Sequence, residues 1–151
     1  MAVRVQREDF DVGAETARLT DGNPSVGGLC VFVGLVRDMA DGAGIAAMTL
    51  EHYPGMTEKM LEEIEAEARR RWPLEASLII HRHGRLEPGD RIVLVACASP
   101  HRQAAFEACH FLIDWLKTKA PFWKVEETEA GEESWVEARA SDDAAAARWK
   151  D

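Results

Sequence analysis

The stretch RIVLVACASPHRQAAFEACHFLIDWLKTKAPFWK, which runs from Arg91 to Lys124, decides the fold class of this chain. Its first residues are mostly apolar or β-branched, and they predict a strand over 91–98. A long helix is predicted over about 100–119, because apolar residues recur there at helical spacing. A proline then turns the chain into a further strand over 122–128. One long helix therefore separates two strands in this part of the chain.

The rest of the chain continues the mixed pattern. A second long helix is predicted over 54–72, where apolar residues again recur at helical spacing and charged residues occupy the other face. The order predicts an α+β fold, with a single domain over residues 1–151, a mixed or antiparallel sheet and two long helices. The remaining predicted strands cover 3–6, 27–36, 45–53, 76–81 and 134–138, and two short helices cover 11–19 and 142–149.

The charge of the chain is strongly acidic and unevenly distributed. The net charge is −9 over 151 residues, and residues 126–151 carry nine acidic and three basic side chains. General nucleic-acid binding depends on the neutralisation of phosphates, so this total argues against it. A local basic pocket for a small anion is still compatible with the composition.

The sequence also bears on the compartment. No apolar run is long enough to span a membrane, and the first seven residues contain no apolar signal segment, so we expect a cytoplasmic location. Cys30, Cys97 and Cys109 are widely spaced and form no C-x-x-C pair. This spacing predicts buried thiols in a reducing compartment, without disulfides or a zinc site.

Lys117 and Lys124 are the strongest candidates for chemistry. Lys117 falls in the last turn of the predicted helix, and Lys124 falls in the strand after the Pro121 turn. We expect Phe122 and Trp123 to shield this turn. A lysine beside apolar walls and a second cation has its pKa lowered, and it then serves as an acid, a base or a nucleophile. The alternative is a pair of helix-end lysines beside an ordinary apolar staple.

Three further residues are candidates for binding an anion. His101 and Arg102 lie where a strand gives way to a helix, and free N–H groups and the helix dipole favour an anion at such a junction. Arg102 is suited to a bidentate contact with a phosphate, and His101 to donating a proton or a hydrogen bond. Arg37 directly follows the strand over 27–36. A solvated helix start and a solvated strand end are the alternatives, and Arg37 taken alone favours the latter.

His81 and His83 stand two residues apart at the end of a predicted strand, so both side chains point to one face. Two histidines on one face suit a metal ion, but no third ligand of matching character is evident nearby. We therefore expect no metal site here and favour a partly exposed strand end.

Taken together in order, these stretches resemble the large, catalytic subunit of molybdopterin synthase. The similarity runs from about residue 5 to 149, and its specificity comes from the series rather than from any one motif. The residues that carry it are Phe32-Val33-Gly34-Leu35-Val36-Arg37, Leu50-Glu51-His52-Tyr53-Pro54-Gly55-Met56, His81-Arg82 with Gly84, Gly89-Asp90, His101-Arg102 with Ala105-Phe106-Glu107-Ala108, Asp114, Lys117, Ala120-Pro121-Phe122-Trp123-Lys124, and Trp135-Val136.

The resemblance implies an α/β-hammerhead fold and a homodimer of large subunits, with a small ubiquitin-like subunit docked at each end to make a heterotetramer. The C-terminal Gly-Gly thiocarboxylate of the small subunit would enter the large subunit and donate sulfur. The implied substrate is cyclic pyranopterin monophosphate, which receives two sulfurs to form the dithiolene of molybdopterin. The resemblance implies no metal and no cofactor for this subunit.

The resemblance also implies roles for individual residues. By position, Lys117 and Lys124 match the catalytic lysines of the family and belong to its substrate site. The other residues that the resemblance places at or near the substrate are Phe32, Leu35, Val36, Arg37, His101, Arg102, Val125, Glu126 and Arg139.

Two positions depart from the family pattern. His83 stands where the family usually has an aliphatic residue, and this departure concerns the local packing and not the chemistry. Pro100 precedes the His-Arg pair and is compatible with a first helical position.

Two other functions are compatible with the residues. One is a non-catalytic protein that binds a phosphorylated metabolite, which would keep Arg37 and Arg102 but would not need both lysines. The other is a single-strand nucleic-acid module with Phe122 and Trp123 as stacking platforms, and the acidic net charge argues against it.

The predicted helix raises a problem of distance. His101 and Lys117 are sixteen positions apart on it, which corresponds to about 24 Å along the axis and to nearly opposite faces. No Pro or Gly breaks the stretch from Gln103 to Leu116. We therefore expect a site shared across a two-fold dimer, with the lysines from one chain and His101 and Arg102 from the other; Arg139 is also expected to reach across.

Overall fold

The computed structural model describes residues 2–40, 43–128, 131, 133–136 and 140–150. The mixed order of strands and helices predicted from the sequence is confirmed. In chain order the elements are β1 (Ala2–Gln6), α1 (Val12–Thr20), β2 (Gly28–Leu35), β3 (Met39–Ala40), β4 (Ala43–His52), α2 (Met56–Arg71), β5 (Ala76–Arg82), β6 (Gly84–Leu86), β7 (Arg91–Ser99), α3 (Arg102–Lys119), β8 (Phe122–Thr128), β9 (Glu133–Val136) and α4 (Ala140–Ala147).

The strands form two sheets. The first has the order β1-β5-β7-β2, in which β1 and β5 are parallel and the other pairs are antiparallel. The second has the order β3-β4-β8-β9, and β6 also pairs with β4. All pairs in the second sheet are antiparallel, including the predicted hairpin of β8 and β9.

Helices cover both faces of the first sheet. On one face α2 and α3 pack against Ile79, Val93, Val95 and Cys97, and Phe111 of α3 is fully buried among them. On the other face Leu78, Ile80, Leu94 and Ala96 pack against Phe10 and the apolar side of α1. Successive residues of a strand point to opposite faces, so β5 and β7 are apolar almost throughout because both faces are covered.

The start of α2 differs from the sequence prediction, which included Pro54 in its first turn. The helix begins at Met56, and Gly55 precedes it with φ 84°. A residue with positive φ cannot belong to a right-handed α-helix, so the helix begins after Gly55. Glycine adopts this conformation readily because it has no Cβ to clash with the backbone. Glu58 accepts a hydrogen bond from the Gly55 N–H at 3.1 Å and satisfies one of the free donors at this end.

The C-terminal helix α4 is fixed to α3 through Trp149. The Nε1–H of Trp149 donates to Asp114 Oδ2 at 2.6 Å, and the indole packs edge-on against Trp72 and Phe111. Asp114 is nearly buried and also lies 3.7 Å from Arg148. Among the described residues, no helix is both long and apolar enough to cross a membrane.

Candidate active site

The two candidate lysines reach one region from different elements. Lys117 lies in the last turn of α3 and is exposed, whereas Lys124 lies in the middle of β8 and is half-buried. The positive charges of both lysines act on the imidazole of His81, so the three side chains belong to one local environment. The sequence predicted apolar walls around Lys117. In a single chain Lys117 is instead exposed to solvent.

His81 is the buried centre of this region. It is 5% exposed and lies on the face of the first sheet that carries α2 and α3. Its ring stacks on Phe122, with centroids 3.7 Å apart and planes inclined by 18°. Burial, together with the charges of Lys124, Lys117 and His52, lowers the pKa of His81 to about 3. The imidazole is therefore neutral at any pH near neutrality.

The side chains of strand β8 alternate between its two faces. Phe122, Lys124 and Glu126 share one face of the strand, and Trp123 and Val125 share the other. Trp123 packs edge-on against Tyr53, with centroids 4.2 Å apart. Phe122 therefore lies on the Lys124 face as predicted, whereas Trp123 points away from it.

The turn before β8 is held by α2. The hydroxyl of Thr57, which is fully buried, donates to the carbonyl of Pro121 at 3.2 Å and accepts from the Tyr53 N–H at 3.0 Å. This link fixes the chain where it passes from Lys117 to Lys124. Sequence reasoning did not single out Thr57, because a threonine in a helix carries no pattern that distinguishes such a link.

The register of the first sheet places Arg37 at the lysine end. His81 pairs with Val93, and Val93 pairs with Gly34, so the three residues form one row across β5, β7 and β2. Val36, two residues beyond this row, is buried and donates to the Asp90 carbonyl at 2.9 Å. Arg37 follows it and is exposed.

His101 and Arg102 lie at the opposite end of the chain's core. His101 is the N-cap of α3, Arg102 is its first residue, and both are exposed. The start of β2 lies here too, because a Cβ on Gly28 would meet the Cα of Arg102 at 3.3 Å. Leu35 is seven residues further along β2, or about 23 Å at the usual rise of a strand.

The helix between these two ends is continuous. α3 runs unbroken from Arg102 to Lys119, as the sequence predicts. The two candidate groups of cations therefore stand at opposite ends of one chain, about 24 Å apart along the helix.

The remaining predicted site residues are distributed between these places. Leu35 and Phe32 lie on β2 and are 53% and 38% exposed. Val125 and Glu126 follow Lys124 on β8, opposite Thr49 and Met48 of β4. Arg139 lies outside the described residues.

The two histidines of the His81-Arg82-His83 segment were the candidates for a metal site. Among the residues that the structure describes, no group of three or more His, Cys, Asp or Glu side chains is placed to hold a metal ion. His83 packs against His52 at a centroid distance of 4.3 Å. Arg82 is structural, because its guanidinium donates to the carbonyls of Arg7 and Arg91, both at 2.9 Å.

The comparison with protein families decides which family this fold and site belong to. The family model described as MoaE protein matches residues 5–119. The chain belongs to the MoaE family. This match includes Arg37, His101, Arg102 and Lys117, and Lys124 lies five residues beyond its end.

Full-length MoaE relatives extend the similarity over Lys124. The molybdopterin synthase catalytic subunit of Pseudomonas aeruginosa is 58% identical over 151 residues, which is all of both chains. The solved structure of the molybdopterin biosynthesis MoaE protein of Burkholderia ambifaria is 55% identical, covers 99% of each chain and has a TM-score of 0.83. Molybdopterin synthase from Staphylococcus aureus is 32% identical with a TM-score of 0.82, covering 89% of this chain and 96% of the other.

Proposed function

We propose that the chain is the catalytic subunit of a molybdopterin synthase. In this reaction it moves sulfur from the C-terminal thiocarboxylate of a small ubiquitin-like subunit to cyclic pyranopterin monophosphate, and two transfers make the molybdopterin dithiolene. The observation that carries the proposal is that the charges of both Lys117 and Lys124 act on the buried His81 in a MoaE-family chain. The name of the Pseudomonas aeruginosa relative supports it.

The arginine, histidine and lysine side chains of the site match the charge and the chemistry of the proposed substrates. Both substrates are anionic, and arginine binds phosphate through a bidentate contact. Arg37, Arg102 and His101 are proposed to hold the pterin phosphate. Lys117 and Lys124 are proposed to act as acid, base or nucleophile while sulfur replaces oxygen, since protons must reach the leaving oxygen atoms.

The residues around these cations complete the proposed substrate site. Leu35, Val36 and Phe32 of the β2 region and Val125 and Glu126 of β8 are proposed to line it. Their support is their position: the first three lie at or near the Arg37 end of β2, and the last two follow Lys124. Arg139 is proposed to contribute on the grounds of the sequence resemblance alone.

The proposed assembly is a homodimer that binds two small subunits. The unbroken α3 separates His101 and Arg102 from the lysines by more than the length of one pterin. We therefore propose that each site takes Lys117, Lys124 and Arg37 from one chain and His101 and Arg102 from the other. A two-fold axis then generates two equivalent sites.

The proposed location is the cytoplasm. Cys30, Cys97 and Cys109 are all unpaired, and Cys97 and Cys109 are buried. Three free thiols suit a reducing compartment, in which structural disulfides are rare.

The test is reconstitution from purified components. The chain is mixed with a thiocarboxylated small subunit and cyclic pyranopterin monophosphate, and dithiolene is measured after its conversion to a fluorescent pterin. Dithiolene must form only when all three are present, and a small subunit with an ordinary C-terminal carboxylate is the control. Binding of the pterin without dithiolene would instead identify a non-catalytic metabolite-binding protein.

A further inference from the structure

Strand β2 lies at the open edge of the first sheet. The sheet order gives it β7 as a neighbour on one side, and among the described residues no strand pairs with its other side. Its sequence, GLCVFVGL, contains none of the charged residues or prolines that usually protect an exposed edge. The free N–H and C=O groups of such an edge are a template for pairing with another chain.

The exposed apolar side chains of the chain are concentrated at this edge. Among the described residues seven large apolar side chains are exposed, and four of them belong to β2. These four are Leu29, Val31, Phe32 and Leu35. A fifth, Phe106, lies one helical turn after Arg102 on α3, and Arg102 packs against Gly28 of β2. Residues four apart share one face of a helix, so Phe106 lies alongside β2 and extends the apolar surface.

Both faces of β2 contribute to this surface. Cys30 packs in the core under α2 and α3, whereas Val33 packs in the core under α1. Because successive residues of a strand alternate between faces, even-numbered residues of β2 point to the α3 face and odd-numbered residues to the α1 face. Phe32 is therefore exposed on the α3 face and Val31 on the α1 face. Exposure on both faces identifies the edge of the strand, rather than one face of the sheet, as the uncovered surface.

A second copy of this chain fits this edge. Two identical strands that pair antiparallel are related by a two-fold axis perpendicular to the sheet, and the residue on the axis then faces its own copy. The centre of β2 falls at Val31 and Phe32. Such an axis places each face of the sheet beside the same face of the other chain, so the two four-stranded sheets become one sheet of eight strands.

Antiparallel pairing of β2 brings the separated cations together. With the axis at the centre of the strand, Gly28 of one chain lies beside residues 34–36 of the other, at the usual strand spacing of about 5 Å. Arg102 packs against Gly28, and Arg37 directly follows residues 34–36. Within one chain the same two ends of β2 are about 23 Å apart. The pairing thus places Arg102 of one chain near Arg37 of the other.

Other occupants of this edge leave the cations apart. A strand from the small subunit would satisfy the free N–H and C=O groups of β2, but His101 and Arg102 would stay about 24 Å from the lysines along α3. A parallel pairing of two β2 strands would place start beside start, and the same gap would remain. Only the antiparallel pair of two copies completes the proposed site.

We propose that β2 is the dimerisation strand of this chain. It pairs antiparallel with β2 of a second copy, centred on Val31 or Phe32, and the pairing forms one eight-stranded sheet and both substrate sites. The use of these sites in sulfur transfer rests on the proposed function. The pairing itself is independent of any activity.

Opposite charges at Val31 test the pairing. In sedimentation equilibrium we expect the wild type to be a dimer, and Val31→Lys and Val31→Glu each to raise the dimer dissociation constant by about a hundredfold or more, the order expected when like charges meet in an interface. A mixture of the two variants should form dimers again, because lysine then meets glutamate. Met56→Lys is the matched control, since Met56 is an exposed apolar residue at the start of α2, and it should stay dimeric.

Single cysteines locate the two-fold axis. Directly opposed residues of an antiparallel pair have Cα atoms about 4.5–5.5 Å apart, which is within the range of a disulfide. Under mild oxidation, either Val31→Cys or Phe32→Cys should therefore form a disulfide between chains. The wild type, which retains Cys30, and Met56→Cys are the controls and should stay uncrosslinked. These variants add no charge, so they also decide the matter if Val31→Lys fails to fold by circular dichroism.

Dithiolene formation links the interface to the site. Val31→Lys and Val31→Glu should each lose activity with the thiocarboxylated small subunit, and their mixture should regain most of it, although Val31 is not a residue of the proposed site. A monomeric wild type would overturn the proposal. So would a Val31→Lys dimer as tight as the wild type, the absence of a disulfide in both cysteine variants, or full activity in a monomeric Val31→Lys. If the wild type pairs through β2 but forms no dithiolene, the proposed function fails and the dimerisation strand stands.

Discussion

Lys124 and Phe122 show at the scale of single residues why cations and aromatic side chains occur together after α3. They lie two apart on β8 and therefore on one face, and Phe122 is covered by the ring of His81. The aromatic side chain fills space beside the site while the lysine extends past it. Trp123 serves the opposite face of the strand, where it packs on Tyr53.

Lys117→Ala is expected to reduce dithiolene formation by at least about a hundredfold, the order of effect of a lost general acid or base. The fold should persist, because Lys117 is an exposed residue in the last turn of α3. Lys117→Arg should not restore activity, because guanidinium stays charged near neutral pH and cannot exchange a proton. The measurement is single-turnover sulfur transfer, with circular dichroism to check the fold.

The control for this prediction is Lys119→Ala. Lys119 is another exposed lysine of the last turn, and its ammonium lies over the ring of Trp115, 4.7 Å from its centroid. It should retain most of the activity. Turnover near the wild-type level in Lys117→Arg would exclude the proposed role of Lys117 as an acid, a base or a nucleophile.

At the scale of elements, the start of α3 is tightly packed against the loop before β2. A Cβ on Gly27 would lie 2.2 Å from the carbonyl oxygen of Pro100, so any side chain here must displace the segment that leads into His101. The Gly27 N–H also donates to the Ser99 carbonyl at 2.9 Å. Backbone thus meets backbone here, and no flexible side chain is available to yield.

Gly27→Ala is accordingly expected to lower the free energy of unfolding by about 1–3 kcal/mol, the usual cost of overpacking. Gly13→Ala is the matched substitution in helix α1, where the new Cβ would make only an ordinary contact, 3.5 Å from Asp11 Oδ1. That variant should be neutral or slightly more stable, because alanine favours a helix over glycine. Urea unfolding of both variants is the measurement, and equal stabilities would contradict the packing argument.

The helices and strands differ in how well the sequence predicts them. α2 and α3 were predictable because their apolar residues recur at helical spacing, and β5 and β7 because they are apolar runs bounded by turn residues. β3 and β6 were not predicted, since strands of two and three residues carry no periodic signal. They form only because β4 is already in place to pair with them.

The cationic residues of the candidate site could be singled out from the sequence, whereas the buried histidine at its centre, His81, could not. Lys117 and Arg37 stand at element ends, and Lys124 follows two aromatic residues in β8, so each is visible in the sequence as a charged residue in an apolar context. His81 was visible only as one of two histidines at a strand end. Its burial against Phe122 depends on how the two sheets meet, and this relation between residues 41 positions apart has no local signature.

At the scale of the whole molecule, His81 links stability to pH. Its pKa in the folded chain is lowered to about 3 by burial and by the charges of Lys124 and Lys117, whereas a histidine in an unfolded chain titrates near its ordinary value of 6.5. Between these values the unfolded chain binds a proton that the folded chain does not. The contribution of neutral His81 to the free energy of unfolding is therefore fully present above about pH 6.5. This contribution is lost as the pH falls towards 3.

The expected result is that the unfolding free energy of the wild type decreases on acidification from pH 6 to 4.5 more steeply than that of His81→Phe. The difference in slope should be about 1 kcal/mol per pH unit. His83, whose pKa is also lowered by burial, and Glu65, whose pKa is raised by burial, are present in both chains, so their contributions cancel. Urea titrations at several pH values make the measurement, and parallel curves would contradict the prediction.

The proposed assembly makes a prediction about mixtures of inactive chains. A Lys117→Ala chain and a His101→Ala chain should each be inactive alone, since every site in either homodimer lacks one residue. After subunit exchange, a mixed dimer has one site with both residues intact and one with neither. Activity should therefore recover to about half the wild-type level per mixed dimer, as the two-fold arrangement requires.

The control for this mixture is a pair of chains that carry Lys117→Ala and Lys124→Ala. Both lysines come from the same chain in the proposed site, so every site in these mixed dimers lacks a lysine and no activity should return. If exchange is verified by mass spectrometry and the first mixture stays inactive, the shared site is excluded.

The unbroken length of α3 has a consequence for how this family can change over evolutionary time. A substitution within the helix alters one side chain, whereas one inserted residue rotates everything beyond it by about 100° and moves it about 1.5 Å. Lys117 would then be displaced relative to His81, on which its charge acts, and the chain would enter β8 on the wrong face. Homologues are therefore expected to vary in length in connections such as residues 21–27 and to keep a constant number of residues between His101 and Lys117, as an alignment of many family members would show.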